Sequence, residues 1–278
     1  MTTNLIYQYM KSIKTYIVDS FTDQLFSGNP AGVCLVTEML PEEKMLTIAQ
    51  ELGFSETAFV KQDEESHYQI RFFSPVMEIP LCGHATLAAS KVIFEEQKVQ
   101  DIQFKNIQNL VLKIHRQDDE ILMEFPIYDT FPQEAPKLLL DALGISELTN
   151  SEYNLETHIL LLEIEDCKLL QNLQPDFERL KKSHDRINGV LVTARSERTD
   201  YDFESRYFWP WSGTNEDPVT GGTHTFLAKY WSKRLNKTKM KSFQCSKRTG
   251  FMEVELITDN KMTLKSKAQI VLKGELNI

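Results

Sequence analysis

The two halves of this chain carry the same landmarks in the same order, which indicates an internal duplication. Residues 71–75 (Arg-Phe-Phe-Ser-Pro) are matched 135 positions later by residues 206–210 (Arg-Tyr-Phe-Trp-Pro), close to half of the 278 residues. A chain built in this way is expected to fold into two similar units. Three further pairs keep a spacing of 134 to 138 positions, namely Pro41 with Pro175, Gly83 with Gly221, and Lys91 with Lys229.

Each half is predicted to open with a helix that buries one face. The first runs from Pro41, which suits the first helical turn, to Gly53, which can supply a left-handed cap. Between them Met45, Ile48, Ala49 and Leu52 follow the spacing of a helix with one buried side. The matching segment, from Pro175 to Leu180, is shorter and is predicted to be a surface helix.

Each half also contains a later helix with little polar face, at residues 85–94 and 225–231, and such helices lie inside a core. Eleven short apolar or aromatic segments around them are predicted strands. The fold class is therefore α+β: two similar domains from an internal duplication, each a curved β-sheet or barrel around a buried helix. The prolines and polar residues of 127–136 place the boundary. The first domain is predicted at 13–128 and the second at 129–278, with a C-terminal strand that can return to the first.

The charge balance and the apolar runs exclude several classes of partner. Lys and Arg total 31 against 40 Asp and Glu, a net charge of −9, so the chain lacks the basic surplus of a nucleic-acid binder. No apolar run approaches the ~20 residues that cross a bilayer, so no membrane partner is expected. The N-terminal residues are too polar for a signal peptide, and a cytoplasmic location is expected. Four dispersed cysteines favour reduced thiols over disulfides.

Both buried helices begin at a glycine turn, which offers a site for an anion. The first N–H groups of a helix and the positive end of its dipole bind anions. The first turn carries Cys82 and His84, and the second carries Glu216, Asp217 and His224. A carboxylate and a histidine facing each other across a cleft can move a proton on a bound substrate. The alternatives are that the glycines only cap the helices and that the histidines are ordinary core residues.

Glu56 is a further candidate because it opens an otherwise apolar strand. Burial there would raise its pKa and suit it to acid–base catalysis. The alternative is a solvated carboxylate at a strand end. The glycine turn at 28–32 lacks the order of a dinucleotide or P-loop site, and Cys82 with His84 is too sparse for zinc unless distant residues contribute. Neither a cofactor nor a metal is therefore expected.

At these positions the sequence resembles the PhzF-like family of phenazine-biosynthesis isomerases, over residues 19–276. That family shares the fold of diaminopimelate epimerase, two α+β domains with a cleft between them. The resemblance therefore implies the same cleft here. The segments that carry it are residues 26–31, 55–59, 71–75 followed by Glu78, 82–86 and 216–221.

The resemblance also implies an activity and a set of site residues. The family's best-understood member moves a hydrogen within a carboxylated cyclohexadiene, without metal or organic cofactor, through a glutamate. By resemblance the catalytic residues are Glu56, His84 and Asp217, acting on a small carboxylate substrate. The substrate-binding residues that the resemblance implies are Asn29, Gly83, Gly221, Gly222 and Thr223. A homodimer is implied by the resemblance alone.

Two departures bear on the substrate and the mechanism. Gly222 stands where the family often has a serine that holds the substrate carboxylate, so Thr223, Thr220 or backbone N–H groups alone would hold it. The second turn has no cysteine to partner Cys82, which argues against the two-thiol racemisation of diaminopimelate epimerase and proline racemase. Three hypotheses follow: a cofactor-independent isomerase, a carboxylate-binding protein without turnover, and a purely structural or assembly role.

Overall fold

The computed structural model describes residues 12–212 and 214–278. The elements of its first half are β1 (Ser12–Ser20), β2 (Asn29–Val36), α1 (Glu42–Leu52), β3 (Thr57–Glu64), β4 (His67–Phe73), β5 (Glu78–Ile79), α2 (Gly83–Glu96), β6 (Asp101–Lys105), β7 (Val111–Gln117) and β8 (Glu120–Pro126). The elements of its second half are β9 (Phe131–Pro132), α3 (Lys137–Leu143), β10 (Asn150–Asn154), β11 (Ile159–Glu163), α4 (Cys167–Asn172), α5 (Phe177–Lys182), β12 (Gly189–Arg195), β13 (Phe203–Trp209), a 3₁₀ turn (Pro210–Ser212), β14 (Thr214–Glu216), α6 (His224–Leu235), β15 (Lys239–Gln244), β16 (Gly250–Thr258), β17 (Lys261–Ser266) and β18 (Ala268–Asn277).

Both halves arrange their strands in the same order, which confirms the duplication and the α+β fold class. Neighbouring strands in the first half run β1–β2–β3–β4–β6–β7–β8. Those in the second half run β10–β11–β12–β13–β15–β16–β17. In each series the second and third strands are parallel, as are the fourth and fifth. We call the two series the first and second lobes, and the antiparallel β8–β17 pair joins them.

The last strand crosses back to the first lobe. β18 pairs antiparallel with β1 along its length, from Ala268 opposite Ser20 to Asn277 opposite Ser12. The crossing is short because a single residue, Lys267, separates β17 from β18. We propose on this basis that the first domain, residues 13–128, is completed by β18, and that the second takes the rest of 129–278.

Each lobe wraps its sheet around one helix, as the sequence predicted. In α2, ten of the 14 residues are buried, and in α6 seven of the 12 are buried. Side chains such as Leu87 and Phe226 have no exposed surface, and burying one contributes about 1.5–3 kcal/mol. Because both helices are enclosed, their N-terminal ends are fixed relative to the strands. No helix within residues 12–212 and 214–278 is long and apolar enough to span a membrane.

The outer face of each sheet is covered by shorter helices. α1 begins directly after Pro41 and ends at Gly53, whose φ of 69° gives the predicted left-handed cap. Its residues Met45, Ile48 and Ala49 pack on the outer side of β2, β3 and β4. In the second lobe α3, α4 and α5 form a separate core on the corresponding face, and Asp176 caps the N-terminus of α5.

Several strands of the structure were not predicted from the sequence, and β15 shows why. Lys239 and Lys241 point outward while Met240 and Ser242 are buried, so the strand contributes few apolar residues. A mixed pattern of this kind resembles a loop when it is judged by hydrophobicity alone. The long strands without a prediction are β6, β10, β15 and β17, and the helices without one are α3 and α4.

Candidate active site

The N-termini of the two enclosed helices lie next to each other. A Cβ atom built on Gly83, the first residue of α2, would be 4.0 Å from the backbone nitrogen of Gly222, which lies just before α6. Within the described parts of the chain, the N–H groups of Gly83 and His84 have no hydrogen-bond acceptor. The same holds for Gly221, Gly222 and Thr223. The two helix ends therefore present a set of free donors suited to a carboxylate.

A pocket of about 270 Å³ opens at these helix ends, between the two lobes. Its volume suits a small molecule rather than a nucleotide or a peptide. The first lobe contributes Glu56, Ile79, Leu81, Cys82, Gly83 and His84, and the second contributes Thr157, Ile159, Tyr207, Trp209, Asp217, Thr220, Gly221, Gly222 and Thr223.

On the first-lobe wall, Glu56, His84 and Cys82 form one buried cluster. Glu56 immediately precedes β3, and its Oε2 lies 3.1 Å from His84 Nε2. The Cys82 sulfur lies 3.4 Å from His84 Nδ1 and 3.9 Å from Nε2. Ser20 donates a hydrogen bond to the His84 carbonyl oxygen over 2.7 Å, which fixes the start of α2 against β1. The cluster therefore combines a carboxylate, an imidazole and a thiol in direct contact.

The protonation state of this cluster differs from the sequence-based expectation. Burial by itself raises the pKa of Glu56, but the hydrogen bond and positive charge of His84 lower it below its usual value. The expected rise in the pKa of Glu56 is therefore wrong, because the sequence did not reveal that His84 is its neighbour. Burial lowers the pKa of His84, yet Cys82 and Glu56 raise it well above 6.5.

Cys82 is a neutral thiol near pH 7, since burial raises its pKa further. The anion that balances the His84 charge is then the carboxylate of Glu56. At neutral pH the cluster therefore rests as a carboxylate–imidazolium pair beside a thiol. A carboxylate held in this state can accept a proton from a substrate.

Asp217 stands on the second-lobe wall and behaves differently. Its carboxylate accepts hydrogen bonds from Asn29 Nδ2, over 2.9 Å, and from the Thr220 hydroxyl. Burial raises its pKa to about 6, against the opposing effects of the His84 charge and the Thr220 hydrogen bond. Gln244 bonds both the Asp217 carbonyl oxygen and the Thr220 N–H group, which holds the turn between them. Asp217 is therefore the carboxyl group of the pocket that changes charge closest to neutral pH.

Paired arginine–glutamate contacts support the two walls, one in each lobe. Arg71 on β4 binds Glu78 on β5 through two nitrogens, 2.7 and 2.5 Å from the carboxylate oxygens. Arg206 on β13 binds Glu216 on β14 in the same way, over 2.6 and 2.8 Å. Glu78 leads into the segment that reaches α2, and Glu216 directly precedes Asp217. The duplicated arginine thus anchors the turn that carries the site in each lobe.

The structure brings most of the predicted site residues together. Gly83, Gly221, Gly222 and Thr223 line the pocket beside the three predicted catalytic residues. Asn29 is not among the lining residues: it lies behind Asp217 and donates to that carboxylate and to the Val219 carbonyl oxygen. Asn29 therefore supports Asp217 from behind, and its predicted contact with substrate stays a prediction. The roles of these residues in binding and catalysis stay predictions.

His224, the second imidazole near a glycine turn, does not line the pocket. Its Nδ1 contacts the Thr220 carbonyl oxygen and its Nε2 contacts the Ser242 hydroxyl, over 3.1 and 2.9 Å. Burial lowers its pKa to about 4, so it is neutral at pH 7. The interpretation of His224 as a core histidine fits this environment.

Two aromatic lining residues were missed by the sequence reasoning. Tyr207 and Trp209 alternate along β13 with Arg206 and Phe208, and successive residues of a strand face opposite sides. Tyr207 and Trp209 line the pocket, whereas Phe208 packs into the outer core. The signal that could have found them is the alternation of aromatic residues within the repeated segment at 206–210.

Fold and site together define a class: a duplicated α+β protein with a small acid–base pocket between two facing helix ends. The family model described as phenazine biosynthesis-like protein matches residues 18–274. The mouse phenazine biosynthesis-like domain-containing protein 1 is 38% identical, over 94% of this chain and 98% of its own length. A Pseudomonas aeruginosa protein named an uncharacterized isomerase is 40% identical, over 94% and 97%.

The comparison with solved structures gives the same result. A crystal structure of a PhzF-family phenazine biosynthesis protein from Enterococcus faecalis matches with a TM-score of 0.89 and 34% identity, covering 96% of this chain and all of that one. The chain belongs to the phenazine biosynthesis-like (PhzF) family. The predicted family and its fold are thereby confirmed.

Proposed function

We propose that this chain is a cofactor-independent isomerase that moves a proton on a small carboxylated substrate held in the interlobe pocket. The observation that carries the proposal is the buried contact between Glu56 Oε2 and His84 Nε2, 3.1 Å apart, beside the free N–H groups of two helix ends. The relative from Pseudomonas aeruginosa, which is named an isomerase, supports this reaction class.

In the proposed mechanism, the helix ends bind the substrate and stabilise its charge. The N–H groups of Gly83, Gly221 and Gly222 would hold the substrate carboxylate, since Gly222 offers no side-chain donor. When a proton leaves a carbon conjugated to that carboxylate, the remaining electron pair spreads onto the carboxylate oxygens. Donors that are already oriented stabilise this charge without rearrangement.

Glu56 would carry the proton between the two positions of the substrate. Its carboxylate, kept ionised by His84, accepts the proton from one carbon and returns it to another, so no proton is gained or lost overall. The contact between His84 and Oε2 would orient the carboxylate toward the substrate. Asp217, with a pKa of about 6, would orient the substrate from the opposite wall and adjust its charge.

Solvent exchange tests this proposal. Cyclic and amino-acid carboxylates are first screened for binding by thermal shift, and those that bind are incubated in deuterated water and followed by proton NMR. Glu56→Gln should exchange about 10²–10⁴-fold more slowly than wild type. Glu51→Gln, an exposed glutamate on α1, is the matched control and should exchange at the wild-type rate. Equal exchange by wild type and Glu56→Gln, with ligands that bind both, would refute the assignment of Glu56.

A carboxylate-binding protein without turnover is the second candidate, and Gly222 is the observation that favours it. Because Gly222 has no side chain, only its backbone N–H group can bind the substrate carboxylate at this position. Ligands would then raise the melting temperature by mass action, wild type would catalyse no solvent exchange, and Glu56→Gln would keep the stabilisation. A purely structural role predicts that no small carboxylate changes the melting temperature.

A further inference from the structure

The first-lobe wall of the pocket also gathers three different metal-binding groups. The Cys82 sulfur, a ring nitrogen of His84 and a carboxylate oxygen of Glu56 all lie within 4.8 Å of one another, and all three residues are buried. Within residues 12–212 and 214–278, this is the one group of three or more potential ligands that meets this spacing. Thiolate, imidazole and carboxylate are the ligands that Zn²⁺ takes in proteins.

The distances fit a tetrahedral ion with little rearrangement. Zinc bonds of about 2.0–2.3 Å place neighbouring ligand atoms of a tetrahedron about 3.3–3.6 Å apart. His84 Nε2 lies 3.1 Å from Glu56 Oε2 and 3.9 Å from Cys82 Sγ, each within about 0.3 Å of this range, and the sulfur and the carboxylate oxygen lie within 4.8 Å of each other. All three residues line the pocket, which leaves the fourth position to water or to a ligand in the pocket.

The fold supplies the ligand that the local sequence lacks. Cys82 and His84 are two residues apart, and two ligands do not make a zinc site. Glu56, at the start of β3, becomes the third because β3 lies beside the N-terminus of α2. The charges also balance, since a thiolate and a carboxylate neutralise a divalent ion.

We propose that this pocket binds Zn²⁺ through Cys82 Sγ, a ring nitrogen of His84 and a carboxylate oxygen of Glu56, and that the bound ion blocks proton transfer. The S–H bond of Cys82 and one N–H bond of the His84 imidazolium break, both protons pass to solvent, and bonds from zinc to sulfur, nitrogen and oxygen form. The inhibition of proton transfer by zinc rests on the proposed function, because the ion occupies the carboxylate that would carry the proton. The binding itself does not depend on it.

Direct metal binding tests the proposal without any substrate. The full chain, reduced and stripped with a chelator, is titrated with Zn²⁺ by calorimetry and with Co²⁺ by absorption spectroscopy. Wild type should bind one ion and show the near-ultraviolet band of a thiolate bound to cobalt. Cys82→Ser should lose that band and weaken Zn²⁺ binding by about tenfold or more. Cys245→Ser, a half-buried thiol in the second lobe, should keep both, and Mg²⁺, which prefers oxygen ligands, should not bind.

The outcomes separate this inference from the proposed function. If wild type shows no cobalt–thiolate band, or if Cys82→Ser binds Zn²⁺ as tightly as wild type, the site is refuted whatever the enzyme does. The absence of the band in wild type refutes the site even if Cys82→Ser fails to fold. With an exchanging substrate in hand, stoichiometric Zn²⁺ should stop exchange and a chelator should restore it. If the zinc-loaded protein exchanges as fast as the zinc-free protein, the claim that zinc inhibits proton transfer is refuted.

Discussion

Replacing Arg206 by methionine should destabilise the second lobe strongly, because this side chain satisfies four acceptors at once. It donates to both carboxylate oxygens of Glu216. It also donates to the carbonyl oxygens of Leu170 and Leu173 at the end of α4, over 3.3 and 2.8 Å. The side chain is 8% exposed and that of Glu216 is 17% exposed. Methionine fills similar volume but leaves all four acceptors without this donor.

The expected cost follows from the acceptors that are left behind. Removing one partner of a buried ion pair costs about 3–5 kcal/mol, which for a protein of this size lowers the melting temperature by about 6–20 °C. Arg71 is the matched comparison in the first lobe. It binds Glu78 through two nitrogens and Glu42 at 3.5 Å, and it donates to no backbone carbonyl within the described residues. Arg71→Met should therefore cost less, about 1–3 kcal/mol.

Thermal and urea unfolding of both variants, followed by circular dichroism, measures the difference. The double variant Arg206→Met/Glu216→Gln removes the stranded charge and should regain part of the stability lost in Arg206→Met. The reasoning is refuted if Arg206→Met is no less stable than Arg71→Met, or if removing the Glu216 charge recovers nothing.

Three further predictions concern the pocket. Gly222→Ser should keep wild-type stability to within about 0.5 kcal/mol, since an added Cβ meets nothing within 4 Å, and it should strengthen the thermal shift caused by small carboxylates. Its control, Gly221→Ser, should lose about 1–3 kcal/mol of stability, because the added Cβ would lie 2.8 Å from the buried Phe21 ring. The raised pKa of Asp217, about 6 against 3.8, means that the folded state holds this proton more tightly. The unfolding free energy should therefore fall by about 2–3 kcal/mol between pH 4 and pH 7, and urea titrations of Asp217→Asn should lack this part of the fall. Asn29→Ala removes a donor to Asp217 and should move its pKa above the wild-type value, as read from carbon NMR of the labelled carboxyl group; an unchanged or lower pKa would contradict the supporting position of Asn29.

Much of the fold could be predicted because its strongest signals are local. Pro41 and Gly53 mark the ends of α1 through backbone preferences that hold in any context. The lack of a polar face on α2 and α6 indicates burial without further information. Strand β15 escaped prediction because Lys239 and Lys241 alternate with its inward residues. Its pairing with β13 and β16 and its packing against α6, rather than the strand's own composition, stabilise it.

The candidate site, like the fold, could be predicted from the sequence only in part. Motif resemblance selected Glu56, His84 and Asp217, and the structure places all three around one pocket. Asn29 belonged to an equally recognisable motif, yet its amide is directed at Asp217 rather than at the pocket. A motif gives the identity of a side chain but not its direction, which depends on the register of β2 against the turn after β14.

By itself, the amino-acid sequence determined the duplication, the two enclosed helices and the glycine turns where they begin, because each depends on residue spacing and backbone preference. The tertiary structure alone decided which charges meet. Glu56 lies 28 positions before His84 in the chain, and their contact reverses the direction in which burial would move the pKa of the carboxyl group. The same contact, with Cys82, creates the group of three metal ligands. Electrostatic effects depend on the distance between charges in space. That distance cannot be read from positions along the chain, because it is set only when the sheet folds around the helix.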